Sequence, residues 1–355
     1  MEKRILFFTG GMGRGGAERV ITLLSGQYVK NGWKVSIAMV LHNLVSQQIP
    51  DEVEVVSLAD REGSKLGAVG TCIRIRRYVK QFKPTVIVSF LSPVCVLADI
   101  ALHNISIPII MSERIDPFMA KRSKLFSSAV KRAYSHSDLF IAQTQKAKSY
   151  FSEEVQRKSM IIPNPVRVET LRKENSKKRI VTAGRLTEQK NHKMLIDAFN
   201  QVHKKHPEYS LEIYGDGECR GTLAELIRHY GLENSVTLKG AVSDLHCQIS
   251  DAEIFVLSSD YEGLSNAFLE AMMMGFPVIS TNCAGADEYI KNKENGILIP
   301  VGDTDALVDA MLFLIEHDVE REQMGKEARK AVEGLKVENI IDKWTMAIET
   351  VIAQK

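Results

Sequence analysis

Cysteine is scarce and scattered. Cys72, Cys95, Cys219, Cys247 and Cys283 are odd in number and form no C-x-x-C, which argues for free thiols in a reducing compartment rather than a disulfide framework or a zinc site. His136, His192, His203 and His206 make no ligand-spaced set with nearby cysteines, so the pattern offers no metal. No run approaches the roughly 18 apolar residues of a membrane-spanning helix. Lys3-Arg4 before Ile5 to Phe8 has the look of a leader, but Gly10-Gly11 breaks the apolar run and Arg14 follows. The stretch reads as a first strand and the protein as cytoplasmic. Aromatics make up only 7% of the residues and no nucleic-acid motif accompanies the basic residues, which sets nucleic acid aside. Low-complexity tracts and short-period repeats are missing too.

What is present is a soluble, globular composition: 355 residues, 45% hydrophobic and 25% charged, enough chain for two domains with separate cores. The net charge of +2 hides an asymmetry: residues 1–165 carry 23 Lys+Arg against 13 Asp+Glu, and residues 166–355 carry 23 against 31. The basic residues of the first half gather in Arg74-Ile75-Arg76-Arg77-Tyr78-Val79-Lys80 and between Lys121-Arg122 and Lys131-Arg132, with apolar residues interleaved at helical spacing. Such a surface suits an anionic membrane face or a phosphorylated substrate, or is simply a solvated basic face.

Short β-rich runs alternate with longer helical patterns. Strands are expected near Arg4 to Phe8, Lys34 to Val40, Val53 to Leu58, Thr85 to Phe90, Pro108 to Met111 and Leu139 to Ala142. A connection with proline follows, Ile161-Ile162-Pro163-Asn164-Pro165-Val166, and then the charged run Arg172 to Arg179. A second series runs through Arg179 to Ala183, Ser210 to Tyr214, Ser235 to Leu238, Ile254 to Leu257, Pro277 to Ser280 and Gly296 to Ile299. The alternation predicts an α/β fold of two doubly wound Rossmann-like domains, residues 1–165 and 166–335, facing a cleft, with ligands at the carboxyl ends of the strands.

Three loops carry the chemistry. Gly11-Met12-Gly13-Arg14-Gly15-Gly16 sits between the first strand and a helix and formally matches G-x-G-x-x-G, yet no acid follows the second strand at Val40-Leu41-His42-Asn43 to hold a ribose, so a nicotinamide enzyme is disfavoured. The loop serves as a phosphate cover or as a plain chain reversal. Gly184-Arg185-Leu186 with Lys190 places a guanidinium fork and an ammonium before a helix, a grip for a diphosphate leaving group that needs no metal. The bland alternative pairs Arg185 with a nearby acid and leaves Lys190 solvated. Glu262, Gly263 to Asn266 and Glu270 span a strand-to-helix turn whose dipole favours phosphate. A fully helical span would separate the two carboxylates by ~12 Å of rise, too far for a hydrolytic acid pair at roughly 5–9.5 Å. Read blandly, Glu262 is a loop acid and Glu270 a surface residue.

Taken in order, Gly15-Gly16-Ala17-Glu18-Arg19, Gly184-Arg185-Leu186 with Lys190, Tyr214-Gly215-Asp216-Gly217, and the E-x7-E of Glu262 and Glu270 resemble the family 4 glycosyltransferases over essentially the whole chain. The resemblance implies the GT-B type fold and a nucleotide-sugar donor held mainly by the C-terminal domain, with retention of anomeric configuration and no metal. It implies that Arg185 and Lys190 bind donor phosphates, Glu270 the ribose, Gly240, Ala241 and Val242 the base, and Glu262 the sugar. Gly263, Leu264, Ser265 and Asn266 would contact sugar and diphosphate through backbone, and Gly15 and Gly16 would approach the diphosphate from the N-terminal side. Residues 336–355, with Trp344, would return to the N-terminal domain.

The chain departs from the family where many members carry a His-Asp pair near the reacting sugar. Here it reads Ser112-Glu113-Arg114-Ile115-Asp116-Pro117, and Arg114, the positional substitute, cannot serve as a general base. The expectation is a retaining transferase moving a hexose or N-acetylhexosamine from a UDP-sugar to a glycan, polyprenyl-diphosphate-linked, at the cytoplasmic face of the inner membrane. Arg114, Arg185, Lys190 and Glu262 carry catalysis, without cofactor. Epimerases and phosphorylases share the fold, and a silent glycan- or lipid-binding module is the remaining alternative.

Overall fold

A computed structural model describes residues 2–13, 15–59, 67–120, 122–173, 176–283 and 285–354. By their contacts they form two compact units, residues 1–165 with 337–355, and residues 166–336.

The first unit runs β1 (Arg4–Thr9), α1 (Gly16–Lys30), β2 (Lys34–Met39), β3 (Glu54–Ser57), α2 (Gly67–Phe82), β4 (Val86–Phe90), α3 (Ser92–Ala101), β5 (Ile109–Ser112), α4 (Lys124–His136), β6 (Leu139–Ala142), α5 (Gln145–Ser149), α6 (Glu153–Arg157) and β7 (Ser159–Ile161). Every strand pairing is parallel, in the order β3-β2-β1-β4-β5-β6-β7. β1 and β4 are buried along nearly their whole length because helices cover both faces of a parallel sheet. The edge strand β7 was not visible in the sequence pattern, where Ile161 was assigned to a connection. Three half-buried residues are too few to display a period of two.

The second unit contains β8 (Arg179–Ala183), α7 (His192–Lys205), β9 (Ser210–Tyr214), α8 (Arg220–His229), β10 (Val236–Gly240), α9 (Leu245–Ile249), β11 (Ile254–Leu257), α10 (Asn266–Met274), β12 (Val278–Thr281), β13 (Ile297–Ile299), α11 (Thr304–Glu316) and α12 (Asp318–Val332). Its sheet, β10-β9-β8-β11-β12-β13, is also wholly parallel and repeats the winding of the first. The core joins Leu195, Phe199 and Val202 of α7, Ile213 of β9, Val256 of β11 and Leu307, Met311 and Leu314 of α11; each such side chain contributes about 1.5–3 kcal/mol on burial. α10 is buried almost all round and stops at Gly275, whose φ of +90° makes the left-handed cap that glycine adopts without strain.

The last helix, α13 (Val337–Ala353), packs on α1 and β5 of the first unit. Trp344 is fully buried there, 5.5 Å from the Phe90 ring centroid.

Part of the basic pattern of the first unit is consumed internally. Arg74 donates to the Leu58 carbonyl at 2.9 Å, Arg76 to the carbonyls of Ala101 and His103 at 2.9 Å each, and Arg122 to the buried Glu113 at 2.7 Å. Arg77, Lys80, Lys124, Lys131 and Arg132 stay exposed, and Lys121 lies outside the described residues.

Candidate active site

In each sheet the winding direction reverses between two adjacent strands, β1 and β4 in one unit, β8 and β11 in the other. Helices leaving the two strands then diverge and open a crevice at their carboxyl ends, where ligands of this architecture bind.

In the second unit, the segments after β8 and β11 are stitched together across that reversal. Ser258 donates to the Lys190 carbonyl at 3.0 Å, the Asp260 N–H to the Gln189 carbonyl at 2.9 Å, and the Gln189 amide to the Tyr261 carbonyl at 2.8 Å. Asn191 serves both sides. Its Nδ2 donates to Asp260 at 2.8 Å, and its Oδ1 caps α7 by accepting the Met194 N–H at 3.1 Å. Its φ of +44° falls in the left-handed region that asparagine tolerates better than most residues. The consequence is an ion pair between Lys190 Nζ and Glu262 Oε1, with the two side chains only 13% and 10% exposed. Ser259 donates to the same Oε1 at 2.7 Å, and Thr281 fixes Ser259 by donating to its carbonyl at 2.6 Å.

A third loop closes on the first two. The N–H of Gly184 donates to the Tyr214 carbonyl at 2.9 Å, and that of Gly215 to the Gly240 carbonyl at 2.8 Å. Gly215 has a φ of +133°, and a Cβ there would stand 1.9 Å from the Gly184 carbonyl oxygen. The glycine in Tyr214-Gly215-Asp216-Gly217 is therefore required by backbone approach, whatever binds above it. The same link brings Gly240 beside this loop; Ala241 and Val242 follow it in the chain.

Arg185 is exposed and makes no ion pair among the described residues, so the bland pairing weighed for it does not form; Lys190 is the cation that is paired. Glu270 is buried on α10 and its Oε2 lies 3.1 Å from His246 Nε2 of α9. It is therefore not a surface acid. Gly263, Leu264, Ser265 and Asn266 form the turn into α10, with Ser265 at the N-cap position.

Sequence reading did not single out His192, Ser259 or His246 for this site. His192 begins α7 and is buried; burial, aided by the Lys190 charge, lowers its pKa to about 4, so it is neutral. Its position directly after Lys190-Asn191 was the available signal. Ser259 and His246 gave none, because their partners come from distant segments. Among the described residues no group of three His, Cys, Asp or Glu is placed to hold a metal ion.

In the first unit, Gly15 caps α1 and Gly16 opens it. Glu18 folds back so that a Cβ on Gly15 would lie 2.1 Å from its Oε2, and burial raises the Glu18 pKa. The Met12 N–H donates to the Leu44 carbonyl at 2.7 Å, and Gln47 donates to the Gly13 carbonyl at 2.8 Å. The glycine loop is thus partly a packing device. Leu91, after β4, holds φ +73° and ψ +131°, a costly conformation for a branched residue, at the winding reversal itself. Arg114, after β5, is 9% exposed. Its guanidinium carbon stands 5.0 Å from the Phe90 ring centroid and 5.5 Å from that of Trp344, and Nη1 donates to Asn164 at 3.1 Å. The charge of Glu113 acts on it, but Glu113 forms no ion pair with the guanidinium: Oε1 accepts the Arg114 backbone N–H at 3.1 Å, and Arg122 and Tyr134 donate to Oε2 at 2.7 and 3.2 Å.

The family model for glycosyl transferases group 1 matches residues 167–331, and the model for glycosyltransferase family 4 matches residues 14–170. An uncharacterized glycosyltransferase of Haemophilus influenzae is 26% identical over 352 residues, 96% of this chain and 99% of its own. The GalNAc-alpha-(1->4)-GalNAc-alpha-(1->3)-diNAcBac-PP-undecaprenol alpha-1,4-N-acetyl-D-galactosaminyltransferase of Campylobacter jejuni is 25% identical over 365 residues, 98% of this chain and 99% of its own. In fold, Anabaena HepE in complex with UDP and glucose superposes with a TM-score of 0.83 at 17% identity, covering 98% of this chain and 100% of that one. Sucrose-phosphate synthase from Thermosynechococcus elongatus gives 0.86 at 17% identity, with full coverage of both. Two Rossmann-like units of this winding, with these matches in each, define a glycosyltransferase of the GT-B type. The chain belongs to glycosyltransferase family 4.

Proposed function

We propose that the protein transfers a hexose or N-acetylhexosamine from a UDP-sugar to a glycan acceptor with retention of configuration. The observation that carries this reading is the Lys190–Glu262 pair held across the strand-winding reversal of the second unit. A diphosphate entering there exchanges into the coordination of an ammonium already in place, and Arg185, exposed and without an ion pair, adds a bidentate donor. Glu262 holds Lys190 in place while offering carboxylate oxygen to the donor sugar. Glu270 takes the ribose hydroxyls, backbone at Gly240 to Val242 the base, and the turn from Gly263 to Asn266 the sugar and diphosphate.

The acceptor hydroxyl attacks the anomeric carbon on the face from which the carbon–phosphate oxygen bond breaks. A donor phosphate oxygen takes the acceptor proton, leaving glycoside and UDP. Arg114 orients an acceptor or sugar oxygen and is no base: burial lowers its pKa to about 9, still protonated at neutral pH. The acceptor we favour is polyprenyl-diphosphate-linked, in keeping with the undecaprenol-linked substrate in the name of the Campylobacter relative. Peripheral attachment to an anionic membrane is supported by exposed Ile115, Phe118, Met119 and Leu125 beside Lys124 and Lys131. The test is turnover of UDP-sugars with a lipid-diphosphate-linked glycan, the product's anomeric configuration being read by NMR. An inverted product contradicts the mechanism, and turnover unaffected by Lys190→Ala contradicts the site.

A further inference from the structure

Four elements of the first unit converge on one cation. Arg114 follows β5, Phe90 ends the neighbouring β4, Asn164 lies beyond β7, and Trp344 comes from α13. Asn164 Oδ1 is shared, accepting Gln143 Nε2 at 2.7 Å as well as Arg114 Nη1 at 3.1 Å. Three buried nitrogens of Arg114 and of the ring it faces find no acceptor among the described residues: Arg114 Nε, Arg114 Nη2 and Trp344 Nε1. The surroundings are thus rich in unaccepted N–H groups beside a guanidinium with which Glu113 forms no ion pair: its Oε1 takes the Arg114 backbone N–H and its Oε2 takes Arg122 and Tyr134. Buried donors and buried charges left in this state are rare and costly. Aromatic faces offset part of the cost of the charge but supply no lone pair to the N–H groups.

We propose that this cluster is an oxyanion site of the first unit, taking a phosphate-type oxygen on Arg114 Nε and Nη2 with Trp344 Nε1 alongside. The inference rests on the role given above to Arg114 and narrows it, from any sugar or acceptor oxygen to an anionic one, with Trp344 as its positioning residue. The ligand class is a phosphate or diphosphate group, either free or attached to a lipid. Entry requires neighbouring side chains to yield. Ile115, Phe118 and Met119 of the adjoining segment are already about half exposed.

The chain has two tryptophans, so Trp33→Phe leaves Trp344 as the sole indole reporter. That protein is titrated with inorganic pyrophosphate and with a short prenyl diphosphate, chloride and acetate serving as controls at constant ionic strength. We expect a saturable change in Trp344 emission with the phosphate ligands that is at least tenfold weaker in affinity when Arg114→Met is added. Tighter binding of the prenyl diphosphate assigns the site to a lipid-linked group, and equal binding assigns it to phosphate groups in general. An adverse result is no saturable change, an equal change with chloride or acetate, or a response unaltered by Arg114→Met. If Arg114→Met fails to fold by circular dichroism, Arg114→Lys replaces it, keeping the charge but not the fork; unaltered affinity there is equally adverse. The titration is repeated with Lys190→Ala, so that loss of donor binding in the second unit is read separately from loss of this site.

Discussion

Each unit sets a cation at the carboxyl end of its sheet, and the two are held in opposite ways. Lys190 meets a carboxylate, Glu262, that is itself fixed by Ser259 and Thr281. Arg114 meets two aromatic faces and a carboxamide, while the nearby carboxylate serves a different arginine. An ion pair can exchange one anion for another with little reorganisation, so the second unit is prepared for a diphosphate that comes and goes. A guanidinium packed between rings is held for geometry, and moving it disturbs the core around α13.

That contrast can be broken from either side. The largest effect is expected from Trp344→Ala, which empties a fully buried aromatic position and removes a support of Arg114; denaturant unfolding should show a loss of about 3–5 kcal/mol. Next, Lys190→Ala should lower kcat/KM by about 10²–10³-fold, the scale of removing one preorganised donor to a developing charge. Its stability should also fall, because Glu262 is left buried without a counter-charge, and the double variant Lys190→Met with Glu262→Gln should recover much of that loss. A double variant no more stable than the single one would show that the pair is not coupled.

A third effect depends on pH. His192 is held neutral with its pKa lowered to about 4, so the unfolded chain takes up this proton first as pH falls. Its contribution is present in full above pH ~6.5 and is lost as pH falls from there through 4, by about 3 kcal/mol at most. The parent should therefore lose stability relative to His192→Gln as pH falls across that window, and parallel curves would remove His192 from the account. The smallest effect is expected from Gly215→Ala, where strain at positive φ and the clash with Gly184 should cost about 1–3 kcal/mol by denaturant unfolding. It should weaken nucleotide binding while leaving the oxyanion response of Trp344 unchanged.

Much of the fold was legible in the sequence because parallel strands buried on both faces read as apolar runs, as Ile254 to Leu257 and Ile5 to Phe8 do. β7 was not, being too short for a pattern. The site was half legible. Lys190, Glu262 and Glu270 stood out by motif, but their partners did not, since β8 and β11 become neighbours by skipping β9 and β10. Sequence reading weighed a paired Arg185 and a solvated Lys190; the fold pairs Lys190 and leaves Arg185 exposed. Arg114 was marked as a substitution, yet its aromatic cage depends on Trp344, 230 positions downstream in the numbering, and local spacing carries no trace of that contact.

The most direct test of the central claim is calorimetric titration of UDP and UDP-sugars into the parent protein, Lys190→Ala and Arg114→Met. The account predicts binding to the parent, at least tenfold weaker binding to Lys190→Ala, and near-parental binding of UDP to Arg114→Met. UDP affinity unchanged in Lys190→Ala, or lost only in Arg114→Met, would contradict it.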